Sequence, residues 1–199
     1  LVSTAHRDLL DVFTDAERAC AHAVNIVGQM SLWVKAMVNH STERRIIALG
    51  DMIMNATRMI TTGSHLDVDL HICEELQPVE CEETNIFRVL VNLLLNGRQA
   101  MDQSGTLTVV AENATRQECA FIRIAVTDTG RGIPREHMDR LFKPGFTTRA
   151  EGSGVGLAAS HAIITNHGGT IEVQSAPGQG STFEVWLPAH VPSAAPQSP

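Results

Sequence analysis

Apolar and polar positions along the chain change period three times. From residue 1 to about 40, a 4-3 spacing runs through Leu9, Phe13, Ala16, Cys20, Ala23, Val27, Met30, Val34 and Met37, with Gly28 the single glycine and no proline. A 3.5-residue repeat held over several heptads predicts a long helix with a narrow seam buried against another helix. A helix lying on its own domain is the other explanation, but a seam this long would overhang a small sheet. Residues 46–60, with Ile46, Ile47, Leu49, Ile53, Ala56 and Ile60, predict a shorter second helix ending near Gly63. Residues 66–72 then alternate strictly, Leu66, Val68, Leu70 and Ile72 apolar between Asp67, Asp69 and His71, which is the pattern of a half-buried strand. Pro78 precedes a helix over about 82–101, carrying Ile86, Val89, Leu90, Leu93 and Leu94 on its apolar side.

Strands are expected at 106–112 and 121–127, joined by the polar stretch NATRQE. Residues 128–153 are rich in Gly, Pro and Thr and too long for a simple turn, which marks a functional loop. A helix from near Gly154 to about Asn166 and a hairpin of 170–175 with 181–187 complete the pattern, and a Pro/Ser/Ala tail follows Pro188. The expected organisation is a long helix over 1–42, an α/β layer domain over 43–188 and a flexible tail or linker over 189–199.

Composition narrows the function classes. Of 199 residues, 43% are hydrophobic and 19% charged, as in a folded protein. A net charge of −7 disfavours a general nucleic-acid or anionic-membrane surface. Six Phe, two Trp and no Tyr leave little for base stacking, and no apolar run approaches the roughly 20 residues that cross a bilayer. Cys20, Cys73, Cys81 and Cys119 lack the paired spacing of a zinc or redox motif, so free thiols in a reducing cytoplasm are expected.

Three segments carry candidate chemistry: DTGRGIP directly after a strand, with Asp128, Gly130 and Gly132; EGSGVGL opening a helix, with Gly152, Gly154 and Gly156; and NLLLN within a helix, with Asn92 and Asn96 one turn apart. Glycines before a helix let backbone N–H groups approach an anion. Taken alone the pattern is weak, and the Rossmann and P-loop forms both fail, since EGSGVGL follows no strand and no GK[ST] occurs. Asp128 alone is explained by a turn. Asn96 is less easily dismissed: a mid-helix amide on an apolar helix needs a partner, and its oxygen is a hard ligand suited to a hydrated Mg²⁺, although an N-cap or a core amide bond is the simpler explanation for either asparagine alone.

In this order the three segments resemble the N, G1 and G2 boxes of the sensor histidine kinase catalytic domain, within the ATPase superfamily shared with gyrase, Hsp90 and MutL. LFKPGFTTR is similar to the F box and the start of the ATP lid, and NHGGTIEVQS and PGQGSTFEVWLP to the closing segments. The resemblance implies an α+β fold, a two-layer α/β sandwich of the Bergerat type, binding ATP and Mg²⁺. It implies that Asp128 accepts from the adenine amine, that Gly130 and Gly132 shape the pocket floor, and that Ser181 supports the adenine site. By the same resemblance Asn96 binds Mg²⁺, Asn92 lies near the phosphates, and Gly152, Gly154 and Gly156 give them N–H groups. Thr148 and Leu157 also line the nucleotide, and Arg149 or Lys143 offsets γ-phosphate charge. Hydrolytic members carry a water-activating Glu where this chain has Asn92, which cannot be a general base; transfer to another nucleophile is therefore expected. Gly97 departs from the family's Ala.

The family's acceptor is a His followed by an acidic residue. His6, His22 and His40 are followed by Arg7, Ala23 and Ser41. ERACAHAVNIVGQM resembles the second helix of the dimerisation hairpin, which places the acceptor helix upstream of Leu1, with His6 as the fallback. The implied partners are a response-regulator receiver domain and a second copy through the N-terminal helix, with no nucleic acid, no membrane contact within the chain, and a cytoplasmic location that leaves room for an anchor elsewhere. A non-catalytic dimeric nucleotide-binding scaffold and a hydrolytic member are the alternatives.

Overall fold

The computed structural model describes residues 43–101, 104–149 and 154–191, so the expected N-terminal helix, His6, Gly152 and most of the tail lie outside the described residues. Eleven elements follow in order: β1 (Arg45–Ile47), α1 (Gly50–Thr61), β2 (Leu66–Ile72), β3 (Val79–Cys81), α2 (Glu83–Ala100), β4 (Gly105–Arg116), β5 (Cys119–Asp128), α3 (Arg135–Met138), α4 (Gly156–Asn166), β6 (Thr170–Ser175) and β7 (Ser181–Pro188). Five strands form one sheet in the order β2-β4-β5-β7-β6, and β1 pairs with β3 in a separate antiparallel ribbon. In the sheet β2 runs parallel to β4 and the other pairs are antiparallel. This is the α+β two-layer arrangement expected.

One face of the sheet is apolar because the inward residues of each strand alternate: Leu107, Val109 and Ala111 on β4, Ile122, Ile124 and Val126 on β5, Phe183, Val185 and Leu187 on β7 are all buried. Helix α2 sets Ile86, Val89, Leu90, Leu93, Leu94 and Gly97 into that core, the i, i+3, i+4 stripe of an amphipathic helix. It packs between α1 and α4 and against β5. The opposite sheet face is polar. There Arg123 pairs with Glu112 at 2.8 Å and with Glu184, Arg116 pairs with Glu172 at 2.7 Å, and the Arg116 guanidinium lies 4.1 Å over the Trp186 ring.

Two expectations change. Ile46 and Ile47 belong to β1 rather than to a helix: Ile46 stands opposite Glu80 and Ile47 opposite Val79, and the helix starts only at Gly50. β-Branched residues fit a pleated ribbon well, and the pairing with β3 overrides the helical spacing. The stretch NATRQE is likewise not a loop. Strand pairing continues to Arg116 opposite Cys119, and Gln117 and Glu118 turn with φ of 51° and 64°, the signs of a two-residue I′ hairpin without its usual Asn-Gly.

His167 fastens two helices together. Its Nδ1–H donates to the Ile163 carbonyl at 2.7 Å, and its Nε2 accepts the Glu82 N–H at 3.0 Å, just before α2 begins. Arg44 donates to the Asn166 carbonyl beside it. The C-terminus of α4 is thereby tied to the start of α2, and this fixes the spacing of the two helices that flank the site.

Candidate functional site

The three chemical segments converge on the C-terminal half of α2. Asp128 closes β5 opposite Ser181 on β7 and is 3% exposed. Its Oδ1 accepts the Gly130 N–H at 2.9 Å, and the backbone N–H and hydroxyl of Ser181 also donate to the carboxylate. Burial pushes the Asp128 carboxyl above its ordinary range, against the lowering effect of these donors and of Arg149. A Cβ on Gly97 would lie 3.5 Å from the Asp128 Cβ and 2.8 Å from Leu107 Cδ1. This face of the helix therefore packs against Asp128 at ordinary contact distance, and only the end of the Leu107 side chain would have to give way to a Cβ.

The turn after Asp128 approaches the end of the same helix. A Cβ on Gly130 would fall 2.4 Å from the Ala100 carbonyl oxygen, so no other residue fits without moving backbone. The Arg131 N–H donates to that carbonyl at 3.1 Å, capping one of the helix's open C-terminal groups. Gly132 lies over Ala176. Ser175 holds this corner: its hydroxyl donates to the Gly180 carbonyl at 2.7 Å, accepts the Ile133 N–H at 2.8 Å and lies 3.0 Å from Ser181 Oγ.

About two turns before Ala100 on α2, Asn92 meets the first turn of α4. Its Nδ2 donates to Ser160 Oγ at 2.9 Å, and the buried Ser160 hydroxyl lies 2.9 Å from the Gly156 carbonyl. The Asn92 Oδ1 would be 2.3 Å from a Cβ on Gly156, so that position is a close approach between two helices as well as a helix start. Gly154 accepts the Gly145 N–H at 3.0 Å, joining the loop's two described arms. Leu157 is half-buried against the core.

Asn96 faces out beside Gln99. Arg149 reaches both: one guanidinium nitrogen donates to Asn96 Oδ1 at 3.2 Å and to Gln99 Oε1, and the other donates to the Asn96 carbonyl at 3.3 Å. Burial, and then the nearby Arg131 charge, lowers the Arg149 pKa from its ordinary value, while Asp128 acts to raise it. Lys143 and Thr148 are exposed on the same loop. Phe146 is stacked by His137 at 5.4 Å and covered by the Arg140 guanidinium at 4.7 Å, and Phe142 meets His161 at 5.1 Å. A hollow of about 480 Å³ between α1 and β2, lined by Gly50, Met54, Leu70 and Ile72 among others, shares none of these residues.

Sequence reading missed Gln99, Arg131, Ser160, Ser175 and Gly180. Helical spacing held a signal for two of them, since Gln99 is three residues after Asn96 and Ser160 is four after Gly156. Ser175 and Gly180 are brought in only by the β6–β7 hairpin.

Known proteins bear on this geometry in three ways. A sensor histidine kinase of Escherichia coli K12, ZraS, is 43% identical over 124 residues, 62% of this chain and 26% of its own length. The signal transduction histidine-protein kinase AtoS of the same strain is 36% identical over 130 residues, 64% of this chain and 21% of its own. The chain thus spans about a quarter of the length of the curated relatives it matches. Among solved structures, the catalytic domain of the histidine kinase ThkA in a nucleotide-free form superposes with a TM-score of 0.66 at 27% identity, over 74% of this chain and 96% of that one. Residues 81–191 match the family described as histidine kinase-, DNA gyrase B- and HSP90-like ATPase, which is more than half of the chain. The chain belongs to that ATPase family, and ATP is the ligand its membership implies.

Proposed function

We propose that this chain is the ATP-binding catalytic module of a two-component sensor histidine kinase, passing the γ-phosphoryl group of ATP to a histidine for relay to a response-regulator aspartate. The observation that carries the reading is convergence on one helix: Gly97 against Asp128, Ala100 against Gly130 and Asn92 against Gly156. Segments separated by dozens of residues meet there as a buried acceptor, a set of close backbone approaches and a half-buried amide oxygen.

These residues fit an adenine nucleotide with a hard divalent cation. Asp128 is a buried acceptor suited to an exocyclic amine, with Gly130 and Gly132 as the floor and Ser181 fixing the carboxylate. Leu157 and Thr148 line the nucleotide. Gly154 and Gly156, with Gly152 outside the described residues, offer N–H groups to phosphates. The Asn96 Oδ1 already takes one cation, the Arg149 guanidinium, and is the ligand proposed for Mg²⁺. The metal supplies charge neutralisation on the phosphate oxygens.

An imidazole nitrogen attacks the γ-phosphorus, the bond to the β-phosphate oxygen breaks, ADP leaves, and the ring gives up its N–H proton to solvent water. The chain's part is positioning and charge balance, with Arg149 and Lys143 offsetting charge at the γ-phosphate. Asn92 has no basic group, and its amide is engaged by Ser160, so water is not activated there and transfer is favoured over hydrolysis. The reading puts the acceptor on a separate helix, dimerisation through the expected N-terminal helix outside the described residues, and the module in the cytoplasm.

Incubation with Mg²⁺ and γ-labelled ATP, with and without a supplied acceptor helix, tests this. Label that is lost in acid and kept in base, appearing on the supplied histidine, is the expected result. Nucleotide binding with no transfer to any histidine would mean a scaffold instead, and steady phosphate release would mean a hydrolase.

A further inference from the structure

We propose that Gln99 is a positioning residue that holds Arg149 across Asn96 in the nucleotide-free chain, so that a metal–nucleotide complex must displace this guanidinium to reach the Asn96 oxygen. The inference rests on the reading of Asn96 as a metal ligand. Asn96 and Gln99 are three residues apart on α2 and so lie on one face. Both present amide oxygens to the same guanidinium nitrogen of Arg149, while its second nitrogen is bound by the Asn96 carbonyl. Three oxygen acceptors from one helical turn thus surround one cation. This cation comes from the loop between α3 and α4.

Such an arrangement makes Arg149 a competitor for the metal. A divalent cation on Asn96 Oδ1 would stand beside the Arg149 guanidinium that donates to the same oxygen, so the two positive charges oppose each other there. Gln99 contributes to only one side of this competition. It adds a charge-assisted hydrogen bond to the guanidinium-bound state, while its side chain is exposed and is not part of the Asp128 pocket. The chain's apparent affinity for the metal complex is its intrinsic affinity reduced by the fraction in which Asn96 is free. Arg131 and Asp128 bias the same equilibrium: the Arg131 charge opposes a second cation nearby, and the Asp128 carboxylate favours one.

The test is a thermodynamic cycle on the full chain, by calorimetric titration with a non-hydrolysable ATP analogue in Mg²⁺ and in EDTA. Gln99→Ala is expected to bind the Mg²⁺ complex about fivefold more tightly than the parent chain. The gain is expected to shrink in EDTA, where Asn96 is not called on. In an Arg149→Ala background the same Gln99→Ala change is expected to have no effect, because the group it holds is gone. A merely structural role for Gln99 would give the same effect in both backgrounds. In ligand-free ¹⁵N spectra, Gln99→Ala is also expected to move the Arg149 Nε–H and Asn96 side-chain amide signals. Unchanged or weaker binding by a folded Gln99→Ala chain overturns the proposal, as does an equal effect with and without Arg149. A parent chain that binds the analogue in EDTA but gains nothing from Mg²⁺ also overturns it, by removing the metal from Asn96. If the parent binds no nucleotide under either condition, the reading of the whole site falls, and this proposal with it.

Discussion

Replacing Asp128 by Asn changes one oxygen into an amide and leaves the side-chain volume almost untouched. The wild-type carboxylate is 3% exposed and takes the Gly130 N–H at 2.9 Å, together with the N–H and hydroxyl of Ser181. Asn keeps one acceptor and turns the other into a donor, so an adenine amine entering the site meets an N–H instead of a lone pair. Loss of a hydrogen bond to a charged group is worth about 1.5–3 kcal/mol, which is roughly 10- to 150-fold in dissociation constant. Stability should behave differently. Burial raises the Asp128 carboxyl above its ordinary value, so its contribution to folding is present in acid, below the unfolded value, and is lost as pH rises through the raised folded value. At neutral pH the ionised form is the penalised one, and Asn removes that penalty. Asp128→Asn should therefore fold with a stability within about 1 kcal/mol of wild type at pH 7, and wild type should gain on the variant as pH falls toward 4. Urea unfolding at both pH values, beside calorimetric ATP titration, measures the two effects separately. A folded Asp128→Asn chain that binds ATP within threefold of wild type would refute the adenine assignment. A stability loss of several kcal/mol would refute the electrostatic argument.

Three further outcomes follow from the same packing. Gly130→Ala puts a Cβ 2.4 Å from the Ala100 carbonyl oxygen, so backbone must move; a loss of about 1–3 kcal/mol in thermal unfolding is expected, and an unchanged midpoint would disprove the close approach. Ser160→Ala leaves the Asn92 amide without its acceptor and should cost about 1–2 kcal/mol in urea unfolding; no change would mean the contact does not form in solution. The Cys81 thiol is pushed up to about 11, chiefly by burial and then by Glu83, so at pH 8 a thiol reagent should modify the exposed Cys73 and Cys119 and spare Cys81 until denaturant is added. Peptide mapping reads this directly, and equal labelling of Cys81 in the native chain would contradict it.

Periodicity recovered the elements whose signal is local. The alternation from Leu66 to Ile72 is a strand, and the apolar stripe from Ile86 to Leu94 is a buried helix face. The same local logic failed at Ile46 and Ile47, because their partner β3 stands more than thirty residues away and contributes only three residues. It failed again at NATRQE, where polar residues extend a hairpin whose outer face is solvated, so polarity there does not mean a loop. For the site, the glycines and asparagines were visible as segments, and their order carried the family resemblance. Their reasons were not visible. Gly97 stood out only as a departure from the family's Ala, whereas its face of the helix meets Leu107 and Asp128 across the sheet–helix interface. Ser160 and Gln99 were hidden because each is an ordinary helix-surface residue until a second helix or a loop arginine is laid against it.

In the proposed reading one site, built on α2, holds adenine at Asp128 and phosphates at the turn before α4. A crystal structure of the chain with a non-hydrolysable ATP analogue and Mg²⁺ tests it most directly. The expected result has the adenine amine within hydrogen-bond distance of the Asp128 carboxylate, phosphate oxygens on the N–H groups at Gly154 and Gly156, and the metal on Asn96 Oδ1 with Arg149 moved off it. Analogue bound elsewhere, or metal held without Asn96 while Arg149 keeps its place, would contradict it.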